Sequence, residues 1–197
     1  MPTLVVPFRG TAAKSRLEAR DAAARQALAD AMLADVVAAC AAVGPTFVVA
    51  PAGVAVDGAE LVGDPGGGQG AAVRAGLDAA VARGLPAPYV VVNADLPCVT
   101  TRDLLALIGA LAEHGLALAP ATDGTTNAVA LADAALFEPV YGPGSTERFA
   151  ALAPSMRLEA PNLIDDVDTV EDLQRLAPRL GPQTRAAAKA LHAKAAA

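Results

Sequence analysis

The sequence predicts an α/β fold with a mostly parallel central sheet and helices on both of its faces. Two observations carry this. Short apolar runs rich in β-branched residues alternate with longer helix-like stretches along the chain. Four polar clusters, Arg9–Arg16, Gly63–Gly70, Asn93–Pro97 and Asp165–Asp168, fall at the ends of such runs, where open α/β sheets bind their ligands. With 54% apolar and 18% charged residues among 197, the composition is that of a folded chain and not a disordered one. Residues 1–197 read as one domain, since neither a linker nor an internal repeat divides them.

Taken in order, Thr3–Phe8 is an apolar run that reads as a buried first strand. A loop with three cations follows. A long Ala-rich helix then runs from about Glu18 to Val43, with Leu28, Met32, Val36 and Val37 on one face. Thr46–Ala50 is the second strand and Glu60–Val62 a short third. GDPGGGQG at 63–70 is a loop by every turn rule, and the pattern returns to helix from Ala71 to Arg83. Tyr89–Val92 is a buried strand ending in NADLP. Thr101 then caps a helix through Leu111, with Asp103 in its first turn, where the helix dipole favours an acid. Leu116–Ala119, Asn127–Leu131 and Met156–Glu159 are further strands, and Asn162–Asp165 a last one. Ser145 opens a helix over 146–153, DVDT leads into another over 169–177, and Gln183 onward is a polar, Ala-rich helix or a frayed tail.

Charge and composition exclude several functions. A formal charge of −6, a pI of about 4.8 and six aromatics without Trp argue against a nucleic-acid partner. The chain shows neither a basic leader with an apolar core nor an apolar span of membrane length, so no membrane partner and a cytoplasmic location are expected. Cys40 and Cys98 lie far apart without a CxxC, which suits reduced, buried thiols and not zinc ligands. His114 and His192 are isolated and GxSxG is absent, so chemistry based on His or on a serine nucleophile is not expected.

Arg9, Lys14 and Arg16 concentrate positive charge within eight residues of an acidic chain. Beside Gly10 they suit a phosphate clamp, although a solvated basic loop would look the same. GxxxxGK[ST] does not occur, and the glycines at 66–70 do not follow the first strand as a dinucleotide fingerprint does. Gly67, Gly68 and Gln69 remain suited to cradling a base or ribose edge. Asp95 directly follows an apolar strand, where a carboxylate is costly unless paired or bound to metal. Asp166 and Asp168, two apart, share one face of an extended segment. Three such oxygen ligands suit Mg²⁺; the plain alternatives are a turn residue at Asp95 and an N-cap at Asp168. YGPGSTERF at 141–149 is either a turn and cap or an anion site built from Gly142, Gly144 and the Ser145 hydroxyl.

PFRGTAAKSRL, GGGQGAAVRAGL, VVNADLP, DGTTNAVAL, FEPVYGPGS and DDVDTVEDL occur in this order over nearly the whole chain. In that combination the sequence resembles the CofC/FbiD guanylyltransferases, which make the GTP-activated phosphoacid of coenzyme F420 biosynthesis. The resemblance implies a nucleotide-diphospho-sugar-transferase-like (Rossmann-like) three-layer fold and GTP as the donor. It also implies two Mg²⁺ ions and a small phosphoacid acceptor, namely phosphoenolpyruvate, 2-phospho-L-lactate or a relative such as 3-phospho-D-glycerate, of which the Ala-rich composition favours phosphoenolpyruvate. By the same resemblance Asp95, Asp166 and Asp168 bind metal, with Lys14 and Asp95 as catalytic residues. Arg9, Gly10, Lys14, Arg16, Gly67, Gly68 and Gln69 would take the nucleotide, and Thr126, Asn127, Gly142 and Ser145 the acceptor. Two departures stand out: Arg9 replaces a lysine found in many members, and Gly68-Gln69-Gly70 replaces the usual Gly-Leu-Asn. A homodimer, and hand-over of the labile product to the next enzyme, are compatible with the resemblance. So are two alternatives: a related enzyme using CTP with a sugar-alcohol phosphate or handling a molybdopterin cofactor, and an inactive nucleotide-binding protein.

Overall fold

Seven strands form one continuous sheet in the order β3-β2-β1-β4-β6-β5-β7. They are β1 (Thr3–Pro7), β2 (Thr46–Ala50), β3 (Glu60–Gly63), β4 (Tyr89–Val92), β5 (Leu116–Pro120), β6 (Thr126–Leu131) and β7 (Ser155–Arg157). The computed structural model describes residues 1–10 and 22–195. Strand pairs β1–β2, β1–β4, β2–β3 and β5–β7 are parallel, while β6 runs antiparallel to both β4 and β5. The central strands are buried on both faces, as continuous apolar runs such as YVVV require.

Side-chain alternation along the strands separates two cores. Leu4 and Val6 of β1 pack toward α1 (Ala22–Ala41) and α3 (Thr101–Gly109), with Val36, Val37, Leu104 and Leu107. Val5, one residue over, points the other way, toward α2 (Gln69–Ala82) and α4 (Ser145–Ala150), with Leu77 and Phe149. Helix α2 sits hard against the sheet: a Cβ at Gly76 would lie 2.4 Å from Val5 Cγ1 and 2.9 Å from Val49 Cγ2. A third, smaller core joins Leu28, Met32 and Cys98 to Val167, Leu173, Leu176 and Leu180, and so seats α6 (Val170–Leu176) on α1.

The expected order of elements holds, with local corrections. Asn162–Asp165 is not a strand; Pro161–Ile164 form one helical turn, α5, because Pro161 occupies the first helical position with its φ preset. Thr100, not Thr101, caps α3 through a reciprocal capping box with Asp103, and the helix stops at Gly109. Gly144, with φ of 72°, and not Ser145, occupies the N-cap of α4. At α6 the N-cap is Thr169, which forms a capping box with Asp172, so Asp168 is free of that duty. Residues 182–195 form a helix, α7 (Pro182–Ala195). Its first turn is capped from α1: buried Asp35 accepts the N–H groups of Gln183 at 3.1 Å and Thr184 at 2.8 Å. Among the described residues, no helix is long and apolar enough to cross a membrane.

Candidate active site

The site assembles where β1 and β4 end and β6 begins. Reversal of β6 is what brings its first residues, Thr126 and Asn127, to this edge. Asn93, next after β4, ties three elements together. Its N–H donates to Asn127 O at 3.0 Å and its Nδ2 to Thr126 O at 3.3 Å, and its Oδ1 accepts from Gln69 Nε2 at 2.7 Å. Gln69 is the first residue of α2, so the glycine-rich loop is anchored to the Asp95 loop by a side-chain pair.

Asp95, Asp166 and Asp168 converge. One carboxylate oxygen from each lies within 4.8 Å of the others, and all three residues are half-buried. The two segments are joined directly, since Val167 N–H donates to Asp95 O at 3.1 Å and the Val167 side chain is buried in the third core. Oxygen-only donors at this spacing, partly shielded from water, fit Mg²⁺.

The segment carrying Asp166 and Asp168 is held from both sides. Asp165 Oδ1 accepts from Arg175 at 2.6 Å, and its Oδ2 pairs with Arg179. Burial would raise the Asp165 carboxyl, but the hydrogen bonds from Arg179 and Arg175 outweigh it and hold it below the usual carboxylate range. Asp172 is likewise raised by burial and lowered further by its bonds from Arg175 and Thr169, with a net fall. These arginines were not singled out from sequence; their one local signal is the i,i+3 pair Asp172–Arg175.

Arg9 and Gly10 line two recesses. One, of about 150 Å³, is also lined by Phe8, Gln69, Asn93 and Asp95. The other, of about 600 Å³, lies toward Gln26, Asp30, Pro51 and Gly53. The second is of a size to take a nucleotide-sized group. Lys14 and Arg16 lie outside the described residues. Gly67 and Gly68 adopt φ of 84° and 94°, a region that favours glycine.

The acceptor candidates separate into one open position and three buried ones. Gly142, with φ of 103°, lies on the half-exposed loop before α4. Thr126, Asn127 and Ser145 are buried to 2%, 2% and 0% exposure. Ser145 Oγ donates to Thr126 Oγ1 at 3.3 Å, and Asn127 Nδ2 donates to the carbonyls of Leu163 and Ile164 at 3.0 Å each. Their side chains brace the loops around the site. Arg148, also not foreseen, clasps this loop by donating to Val140 O, Tyr141 O and Pro143 O at 2.6–3.1 Å. Both cysteines are free and buried, and burial pushes the Cys40 thiol up to about 12.

Residues 15–152 match the MobA-like NTP transferase domain family, which makes the class of the protein a nucleotidyltransferase. A phosphoenolpyruvate guanylyltransferase of Sphaerobacter thermophilus is 38% identical over 189 residues, 88% of this chain and 91% of that one. Another, of Streptomyces coelicolor, is 38% identical over 204 residues, 96% of each chain. A 2-phospho-L-lactate guanylyltransferase of Methanothrix thermoacetophila is 33% identical over 137 residues, 66% of this chain and 60% of that one. The fold is similar to that of a protein described as a nucleotide-diphospho-sugar transferase from Desulfovibrio desulfuricans, with a TM-score of 0.75 at 17% identity over 98% of this chain and 95% of that one. The chain belongs to the phosphoenolpyruvate guanylyltransferase family, within the MobA-like NTP transferases.

Proposed function

We propose that this chain transfers GMP from GTP to phosphoenolpyruvate with release of pyrophosphate, a step of coenzyme F420 synthesis in the cytoplasm. The observation that carries this reading is the meeting of Asp95, Asp166 and Asp168 at the mouth of a chain whose relatives, matched over 88% and 96% of its length, bear that activity in their names. A phosphate oxygen of the acceptor attacks the α-phosphorus of GTP in line. The new P–O bond forms as the bond to the bridging oxygen breaks, and the electron pair leaves with pyrophosphate. The attacking phosphate is already ionised at neutral pH, so the reaction needs no general base and the site needs no histidine.

In this reading Asp95, Asp166 and Asp168 hold two Mg²⁺ ions, which when bound offset the charge of both phosphates. Arg9, Lys14 and Arg16 neutralise the departing pyrophosphate. Gly10, Gly67, Gly68 and Gln69 shape the nucleotide side. Gly142 meets the acceptor through its backbone, and Thr126, Asn127 and Ser145 serve it by fixing the loops around it. Lys14→Ala should weaken GTP binding far more than acceptor binding when each is titrated by calorimetry, and equal losses would remove Lys14 from the nucleotide side.

A second acceptor, 2-phospho-L-lactate, is favoured by the Methanothrix relative. Pyrophosphate release from each of four NTPs with phosphoenolpyruvate, 2-phospho-L-lactate and 3-phospho-D-glycerate separates the readings. GTP with phosphoenolpyruvate is the expected pair. Preference for CTP would overturn the base assignment, and no release with any pair would leave a nucleotide-binding protein without catalysis.

A further inference from the structure

The stretch 165–172 carries four aspartates, and two of them, Asp166 and Asp168, join Asp95. The other two are spoken for. Asp165 has both oxygens on guanidinium groups, Oδ1 on Arg175 at 2.6 Å and Oδ2 on Arg179. Asp172 gives Oδ1 to Arg175 at 3.0 Å, while its Oδ2 accepts the Asp168 N–H at 3.2 Å and the Thr169 N–H at 2.9 Å. Arg175 therefore bridges the residue immediately before Asp166 to the residue that holds the backbone of Asp168. Arg179 adds a second tie, donating to Asn162 Oδ1 at 2.9 Å, and Asn162 in turn donates to Asp103 Oδ2 at 3.0 Å.

We infer that Arg175 is a positioning residue for the metal-binding carboxylates. Its fork fixes both flanks of the DVD segment, so that two aspartates and not four face Asp95. This rests on the metal reading of Asp95, Asp166 and Asp168 given above. Arg175 is half exposed, with its side chain 51% accessible, and ion pairs that open to water contribute little to folding stability. Its effect falls instead on geometry. A planar guanidinium engages two carboxylates at once from one side chain, which an ammonium cannot do with the same fixed spacing. Residues that orient metal ligands commonly govern affinity by ten- to a hundredfold without touching the ion.

Arg175→Lys is the informative substitution, because the charge near the site is kept and only the two-pronged contact is lost. Binding of Mn²⁺, used as the probe in the absence of nucleotide, should weaken by roughly tenfold in calorimetry. The Mg²⁺ concentration for half-maximal turnover should rise in parallel, while kcat at saturating Mg²⁺ returns to within about twofold of the parent and the KM for GTP holds. The melting temperature should move by no more than a few degrees. Arg175→Met, which also removes the charge, should keep the same direction for kcat at limiting Mg²⁺. Parent-like Mn²⁺ affinity in Arg175→Lys would overturn the assignment, as would a kcat deficit that saturating Mg²⁺ does not repair. The same titration on Asp95→Asn tests the underlying reading separately. If that variant binds Mn²⁺ like the parent, the metal site itself is misplaced; if it loses binding while Arg175→Lys does not, only the role of Arg175 fails.

Discussion

Two glycine-containing loops of the molecule, 63–70 and 140–145, are held in different ways. The 140–145 loop is clasped by Arg148 through the carbonyls of Val140, Tyr141 and Pro143, and Ser145 pins its far end to Thr126. The 63–70 loop has three successive glycines at positive φ, and its bonds lie toward its ends: Asp64 N–H to Ala50 O at 2.9 Å, Gly66 N–H to Asp64 Oδ1, and the Gln69–Asn93 pair. A braced loop presents fixed backbone donors to a small anion, whereas a glycine-rich loop can close over a larger ligand. The difference matches the proposed division of labour, with the phosphoacid on the braced side and the nucleotide on the open one.

The comparison can be broken at four points, from the largest effect downward. In the proposed reaction both ligands depend on Asp95, Asp166 and Asp168, so Asp95→Asn should cut turnover on the order of a hundredfold or more at saturating Mg²⁺, with circular dichroism unchanged. Parent-like turnover would remove Asp95 from the machinery. On the open side, Gly68 sits at φ 94° and ψ −174°, a conformation that strains any other residue by about 1–3 kcal/mol. Gly68→Ala should raise the KM for GTP by about tenfold and leave that of the acceptor alone; an equal rise in both would show that the two loops move as one. On the braced side, Arg148→Met should raise the acceptor KM by roughly three- to tenfold, from the loss of several ordinary hydrogen bonds, with GTP unaffected. An effect on stability without one on KM would reduce Arg148 to a structural clasp. The smallest effect is also on this side. The Tyr141 hydroxyl is buried without a hydrogen-bond partner among the described residues, and burial pushes its pKa up. Tyr141→Phe should remove a desolvation cost of about 1 kcal/mol and lift the melting temperature by about 2–4 °C. A drop would mean that the hydroxyl has a partner when the acceptor side is complete.

Much of this was legible in the sequence, for reasons that particular residues make clear. Thr46–Ala50 and Tyr89–Val92 were bounded to the residue because buried strands of a parallel sheet read as unbroken apolar runs. Asp95 could be placed at the edge of the sheet because it follows such a run, whereas Asp166 and Asp168 follow the turn α5 and not a strand, so their meeting with Asp95 rested on the resemblance and on their two-residue spacing. Asn162–Asp165 misled because a four-residue apolar and polar mix carries no usable period, and Pro161 decided for a helical turn. Ser145 looked like a cap by residue type, but Gly144 could take the left-handed conformation that the turn required. Arg148 stayed invisible because it binds backbone carbonyls, which every residue offers, Arg179 because its partners lie 14 and 17 residues away, and Arg175 showed only its i,i+3 pair with Asp172.

The capping of α7 by Asp35 has a consequence for the order in which the molecule can be completed. The carboxylate is made early, on α1, and its two donors lie 148 and 149 residues further along. At a ribosomal pace of about 5–20 residues per second, about seven to thirty seconds separate them. Until α7 is in place, burying Asp35 leaves its carboxylate without those two donors, and an unpaired buried polar group is costly. Closing that seam of the protein therefore depends on the far end of the chain.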